Sequence, residues 1–111
     1  MSAGSYNFTL EQGATLDRTV TVQESGSAMN LTGYTPRMQV RETHDSTNIL
    51  LTVTCSISNA SGGIIRLQAT ATTTASIEEG IYVYDLEITA SSGAVTRILQ
   101  GQVTVTPEVT R

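Results

Sequence analysis

Residues 80–90 read Gly80-Ile81-Tyr82-Val83-Tyr84-Asp85-Leu86-Glu87-Ile88-Thr89-Ala90. Tyr82, Tyr84, Leu86, Ile88 and Ala90 fall on one face, with Asp85, Glu87 and Thr89 on the other. Alternation sustained over this length marks a half-buried strand. Gly80 punctuates its start, and Ser91-Ser92-Gly93 reads as a hairpin turn at its end. A last strand then runs from Ala94 to about Thr106, with Val95, Leu99, Val103 and Val105 in phase. Gly101 in its middle suggests a bulge or bend, and Pro107 ends the ladder.

The same period extends upstream. Tyr6, Phe8 and Leu10 alternate with Asn7 and Thr9. Residues 14–24 place Leu16, Val20 and Val22 on one face, where Arg18 breaks the apolar pattern with a stem that can lie along apolar surface. Ser25-Gly26-Ser27 ends that run, and Leu31 in the following loop is expected to plug the core. Pro36 opens a third strand, a position where proline is tolerated, with Met38 and Val40 inward and Arg37, Gln39 and Arg41 outward. Residues 43–48 are polar turn material, followed by Leu51, Val53, Cys55 and Ile57 on one face of a fourth run. Ile65, Leu67 and Ala69 define a fifth. Thr73 or Thr74 is placed to cap one or two helical turns at residues 73–79, crossing between two sheets. Seven strands separated by turns predict an all-β, seven-stranded antiparallel sandwich, a single domain spanning residues 1–111. The inward set is expected to include Leu16, Val20, Val22, Met38, Val40, Leu51, Val53, Leu67, Tyr84, Leu86 and Leu99.

Composition agrees with this class. Thr occurs 19 times, Val 9 and Ile 8, and these β-branched side chains favour pleated backbone. The formal net charge is −4, with six Arg and no Lys, so the cationic surface of a nucleic-acid binder is not expected. Five aromatic residues and no Trp argue against a stacking platform for sugars or single-stranded nucleic acid. No apolar run is long enough to span a membrane as a helix, and Met1 to Tyr6 does not read as a secretory signal. Cys55 has no partner for an internal disulfide.

Reactive chemistry is sparse. His44, the single histidine, sits beside Asp45 in a polar turn; two such groups do not define a metal site. Asp45, Ser46 and Asn48 offer oxygen ligands in one loop but lack the glycine and distant glutamate of a calcium-binding loop. Cys55 lies on an apolar face beside Thr54 and Ser56, where it is expected to be buried, reduced and inert. Glu78 and Glu79 are adjacent at a loop edge, whereas glycosidic chemistry needs carboxylates across a cleft. Phosphate-binding and dinucleotide motifs and the nucleophile elbow are absent from the sequence. The reading is therefore non-enzymatic, with no catalytic, cofactor-binding or metal residues, no cofactor and no small-molecule substrate.

Surfaces remain. Thr19, Thr21, Thr52 and Thr54 face outward, and hydroxyls cost less to desolvate against a partner than charges do. No lysine guards a strand edge. The segments near residues 6–10 and 99–106 are candidate edges, and the loops at 25–34 and 43–48 candidate contacts. A ligand-binding module would instead show a polar-aromatic patch around Tyr34 and the 43–48 loop.

Gly80-Ile81-Tyr82-Val83-Tyr84-Asp85-Leu86, preceded by Glu78, resembles the strand entry of immunoglobulin-like domains, where a tyrosine hydroxyl bonds back to the preceding corner. Tyr84 stands where antibody domains carry a cysteine. A longer series comes in one order: Phe8-Thr9-Leu10-Glu11-Gln12-Gly13-Ala14, Leu31-Thr32-Gly33-Tyr34, Met38-Gln39-Val40-Arg41 and the Gly80–Glu87 stretch. Arg97, Leu99, Gly101, Val103, Val105 and Pro107-Glu108-Val109-Thr110 follow. This series resembles small structural proteins of tailed bacteriophages and prophages, and the immunoglobulin-like N-terminal module of baseplate upper or tail-fibre-attachment proteins. The resemblance implies an immunoglobulin-like sandwich acting as a virion component in tail, baseplate or fibre attachment. Its partners would be other virion proteins, in many copies per particle, with no nucleic acid and no membrane. A head decoration protein and a stand-alone ligand-binding or adhesion module are the alternatives.

Overall fold

A computed structural model describes residues 4–24 and 26–109; Met1, Ser25 in the expected turn, and Thr110 after Pro107 lie outside the described residues. Strand accounts for 59% of the described residues and helix for 5%. The elements are β1 (Gly4–Ser5), β2 (Phe8–Glu11), β3 (Leu16–Thr21), β4 (Gln23–Glu24), β5 (Ser27–Ala28), β6 (Thr35–Arg41), β7 (Ile49–Asn59), β8 (Ile64–Ala69), α1 (Ala71–Ala75), β9 (Gly80–Thr89) and β10 (Val95–Thr106).

The all-β expectation holds; the seven-stranded antiparallel sandwich does not. Eight strands form one hydrogen-bonded path, β1-β10-β9-β6-β7-β8-β3, with β2 also on β10, and β4 and β5 form a separate small hairpin. Two physical causes produce the difference. The eleven-residue β7 pairs with β6 through Ile49–Val53 and with β8 through Thr54–Asn59, so one long strand carries the sheet around a corner. The N-terminal strands β1 and β2 lie parallel to β10, which makes the sheet mixed. Gly101 permits that approach: a Cβ there would collide with the Tyr6 carbonyl oxygen. Gly101 therefore marks a close backbone contact, and of the bulge or bend expected there the bulge lies elsewhere.

The bulge falls earlier in β10, between Arg97 and Leu99. It shifts the phase, so Ile98 is buried while Val95 is 57% exposed and Leu99 only partly covered. Val103 and Val105 point inward as expected. Elsewhere Leu16, Val22, Met38, Val40, Leu51, Val53, Leu67, Tyr84 and Leu86 are buried as expected and Leu31 plugs the interior, whereas Val20 is only half-buried and Tyr6 is exposed. Pro36 lies one residue inside β6, which runs between β9 and β7. The β7 pairing begins only at Met38, so the missing proline N–H interrupts no ladder on that side.

The helix starts earlier than residue 73. Thr70 caps it, its hydroxyl accepting from the Thr73 N–H at 3.3 Å, and Ser76 ends it. Thr74, expected as a cap, is instead fully buried. Its hydroxyl donates to the Ala14 carbonyl at 2.8 Å and to Ala71 at 3.1 Å, alternative acceptors for one proton. Tyr82 donates its hydroxyl to the Glu78 carbonyl at 2.7 Å, as the immunoglobulin-like resemblance implies.

Candidate functional site

The sheet curls without closing. Val22 donates to the Gly63 carbonyl at 2.7 Å and continues the β3–β8 register by one residue. Hydrogen-bonding positions alternate along an antiparallel edge. The backbone groups of Leu16, Arg18 and Val20 therefore point at β8, and those of Asp17, Thr19 and Thr21 point away from it. Tyr6 donates to Gln100 and Gln12 to Thr106, each at 3.0 Å. The same period turns Phe8 and Leu10 toward β10, and Asn7, Thr9 and Glu11 away. Two strand edges, from β3 and from β2, thus confront each other with no ladder between them among the described residues.

One end of this seam is sealed. Gln12 donates from Nε2 to the Ile77 carbonyl at 2.8 Å and accepts from the Glu108 N–H at 3.1 Å. Thr74 fastens the turn at Ala14. Beyond the turn the edges diverge around a groove of about 370 Å³, lined among others by Tyr6, Phe8, Leu16, Val20, Leu67 and Tyr84. Phe8 stacks on Tyr6 at 6.1 Å and meets Tyr84 edge-on at 5.1 Å. The Tyr84 hydroxyl donates to the Tyr6 carbonyl, and burial pushes its pKa up to about 12.

Arg18 crosses the gap. Its guanidinium donates to the Thr9 carbonyl at 3.3 Å and the Tyr6 hydroxyl at 3.1 Å. It also lies 5.2 Å from the Phe8 ring centroid. The sequence signal was the one arginine in phase with the apolar face of its strand. An inward charge of this kind discourages indiscriminate edge pairing. Arg18 thus places a positive charge at the β3 edge in a chain that has no lysine.

A second surface occupies the outer face of β6, β9 and β10. Arg37, Glu87 and Arg97 stand in register across the three strands, as do Gln39, Asp85 and Gln100. Arg97 pairs with Asp85 at 3.3 Å, and Arg41 is tied to the Ser46 carbonyl at 2.7 Å and to Gln39 at 3.1 Å. Opposite charges sit side by side in this array, so it largely compensates itself.

The residues weighed for chemistry lie apart. His44 and Asp45 are exposed, and His44 borders the outer array. The Ser46 hydroxyl accepts from the Asn48 N–H at 3.2 Å, directed to the loop backbone. Glu78 and Glu79 are exposed at the start of β9. Among the described residues no three His, Cys, Asp or Glu side chains gather where a metal ion could be held. Cys55 is partly exposed rather than buried, although it packs against the core; partial burial still pushes its thiol up to about 11.

The expected edges need one correction. Residues 6–10 do border an edge, but residues 99–106 are flanked by β9 on one side and by β1 and β2 on the other. Tyr34 packs against the core at one end of β6 and the 43–48 loop follows its other end, so they build no common patch. No helix among the described residues is long and apolar enough to cross a membrane. No protein-family model matches the chain, and no curated protein matches it.

Proposed function

We propose that this protein acts by contact with other proteins, as a non-enzymatic structural component of a phage virion, in tail, baseplate or fibre attachment. One observation supports the contact role: two confronting strand edges leave unladdered backbone beside an exposed apolar groove. Unpaired edges of this kind accept strands from neighbours. The virion assignment rests on the ordered series of segments resembling tail and baseplate modules. It makes other virion proteins the partners, in many copies, with the finished chain residing in the particle. The groove's three aromatic rings give support to the alternative of a stand-alone binding module.

The test is a protein inventory of purified particles, with and without the gene. The chain is expected in particles at a fixed ratio to a known structural protein, and its deletion is expected to yield incomplete particles. Particles that lack the chain and assemble normally after deletion would overturn the assignment.

A further inference from the structure

We infer that the seam takes one extended strand from a partner protein, paired to the free edge of β3, with a carboxylate facing Arg18 and an apolar side chain on either side of it. This inference rests on the contact role proposed above and adds the chemistry of the partner.

The free edge supplies the register. Asp17, Thr19 and Thr21 direct their N–H and carbonyl groups away from β8, at the spacing an added strand uses. Inward side chains of that strand would lie beside Leu16, Arg18 and Val20, over the apolar groove. Val20 is only half-buried, and with Leu16 it lines the apolar groove, so the positions flanking Arg18 favour apolar neighbours. Arg18 calls for an anion, since no carboxylate stands within 4.0 Å of it among the described residues; the ion pairs there are Arg66–Asp17 and Arg97–Asp85. Its contacts are a carbonyl, a hydroxyl and a ring face.

An incoming strand must displace Arg18 from the Thr9 carbonyl. A neutral strand leaves the guanidinium desolvated without a counter-charge, and a basic strand adds repulsion. A carboxylate replaces the lost hydrogen bonds with charge-assisted ones. The side chain that guards the edge is therefore also the one that selects what may pair there.

A second copy of β3 does not meet this requirement. In a two-fold antiparallel pairing, directly opposite residues share a face, so Arg18 would face Arg18, Leu16 or Val20 of the other copy. Asp17 lies on the opposite face in every such register. The inward residues of β2, Phe8 and Leu10, carry no charge either.

The probe is a blocked peptide, Thr-Val-Thr-Glu-Thr-Val-Thr, whose sequence is the same in both directions and so does not prejudge strand direction. Titrated into the isotope-labelled protein, it is expected to shift the amide resonances of Asp17 to Thr21. It is expected to bind on the order of tenfold more tightly than the same peptide with Lys at its centre. Arg18→Glu should invert that preference while leaving the rest of the spectrum dispersed. Thr19→Pro, which removes an edge N–H outside the β3–β8 ladder, should abolish binding by both peptides. If Thr19→Pro does not fold, the inversion by Arg18→Glu decides. Equal affinity for both peptides, shifts confined to other strands, or no binding by the Glu peptide up to its solubility would overturn the inference. A chain present in particles but indifferent to the peptide overturns only the strand reading. Selective peptide binding by a chain absent from particles overturns only the virion assignment.

Discussion

Within the wall made by β6, β9 and β10, adjacent strands are tied continuously: β6 and β9 pair from Thr35–Thr89 to Arg41–Val83. Met38, Leu86, Ile88 and Val103, which that wall turns inward, have no exposed surface. Across the seam, β2 keeps the inward alternation, whereas β3 keeps it in sequence phase only: Leu16 is buried, Val20 half-buried and Arg18 exposed. Among the described residues the two strands share no ladder, and Arg18 spans the middle. The two regions therefore share a sequence pattern and differ in pairing and in how fully the pattern is buried. Periodicity fixes which side chains turn inward; it leaves open which backbone lies alongside.

The largest expected effect is in the wall. Leu86→Ala removes a fully enclosed side chain and should cost about 2–5 kcal/mol in denaturant unfolding, through lost transfer energy and a cavity. A loss below about 0.5 kcal/mol would erase the contrast by showing the wall to be as yielding as the seam.

Next comes the sealed end of the seam. Thr74→Val keeps the shape but removes the hydroxyl that reaches Ala14. The expected cost is about 1–3 kcal/mol, since a buried polar contact is lost and its acceptor left unsatisfied. A neutral result would place the closure on Gln12 alone.

Tyr84 gives a pH-dependent comparison, because it belongs to the wall and lines the groove. Its folded pKa, about 12, lies above the ordinary tyrosine value of 10.0 because burial disfavours the phenolate. The stability held in its protonated form is complete below about pH 10 and is lost as pH rises toward the folded value. The unfolding midpoint should therefore fall between about pH 10 and 12, and Tyr84→Phe should flatten part of that fall. An unchanged slope in Tyr84→Phe would show that other groups account for the alkaline loss. The Cys55 thiol, raised to about 11 by burial, should react more slowly with a thiol reagent near pH 8 in the folded chain than in denaturant.

Much of this fold was legible strand by strand, because alternation is a local property. Met38, Val40, Leu51, Val53 and Leu86 could be assigned inward from their neighbours alone. Ile98 could not, since a bulge between Arg97 and Leu99 changes the phase inside an unbroken run. Threonine suits a cap, so in sequence Thr73 and Thr74 both qualify; the burial of Thr74 against Ala14, sixty positions away, is a long-range fact. The parallel pairing of β2 with β10, and the length of β7 that joins the expected sheets, are long-range facts with no period of their own. Of the seam, the sequence displayed Arg18 standing in an apolar phase and the 6–10 segment as a candidate edge, but not that the two edges lie opposite each other.

The smallest expected effect on stability is at Arg18 itself, and it sharpens the comparison most. The residue is exposed, and its contact with the Phe8 ring is worth about 0.5–1 kcal/mol. Its hydrogen bonds to Thr9 and Tyr6 can pass to water. Arg18→Ala should therefore lower stability by less than about 1 kcal/mol, well below the cost of opening the wall at Leu86. Its effect on association should run the other way. With the guanidinium gone, β3 presents free backbone beside Leu16 and Val20 with no charge to discourage a second strand. Light scattering over a concentration series should then show self-association in Arg18→Ala that is weaker or absent in the natural chain. Arg18→Lys should restore the guard in part, because an ammonium keeps the charge but lacks the planar fork of donors. If Arg18→Ala stays as monodisperse as the natural chain at every concentration, the seam is closed by its geometry, and the charge that spans it is not what keeps other strands out.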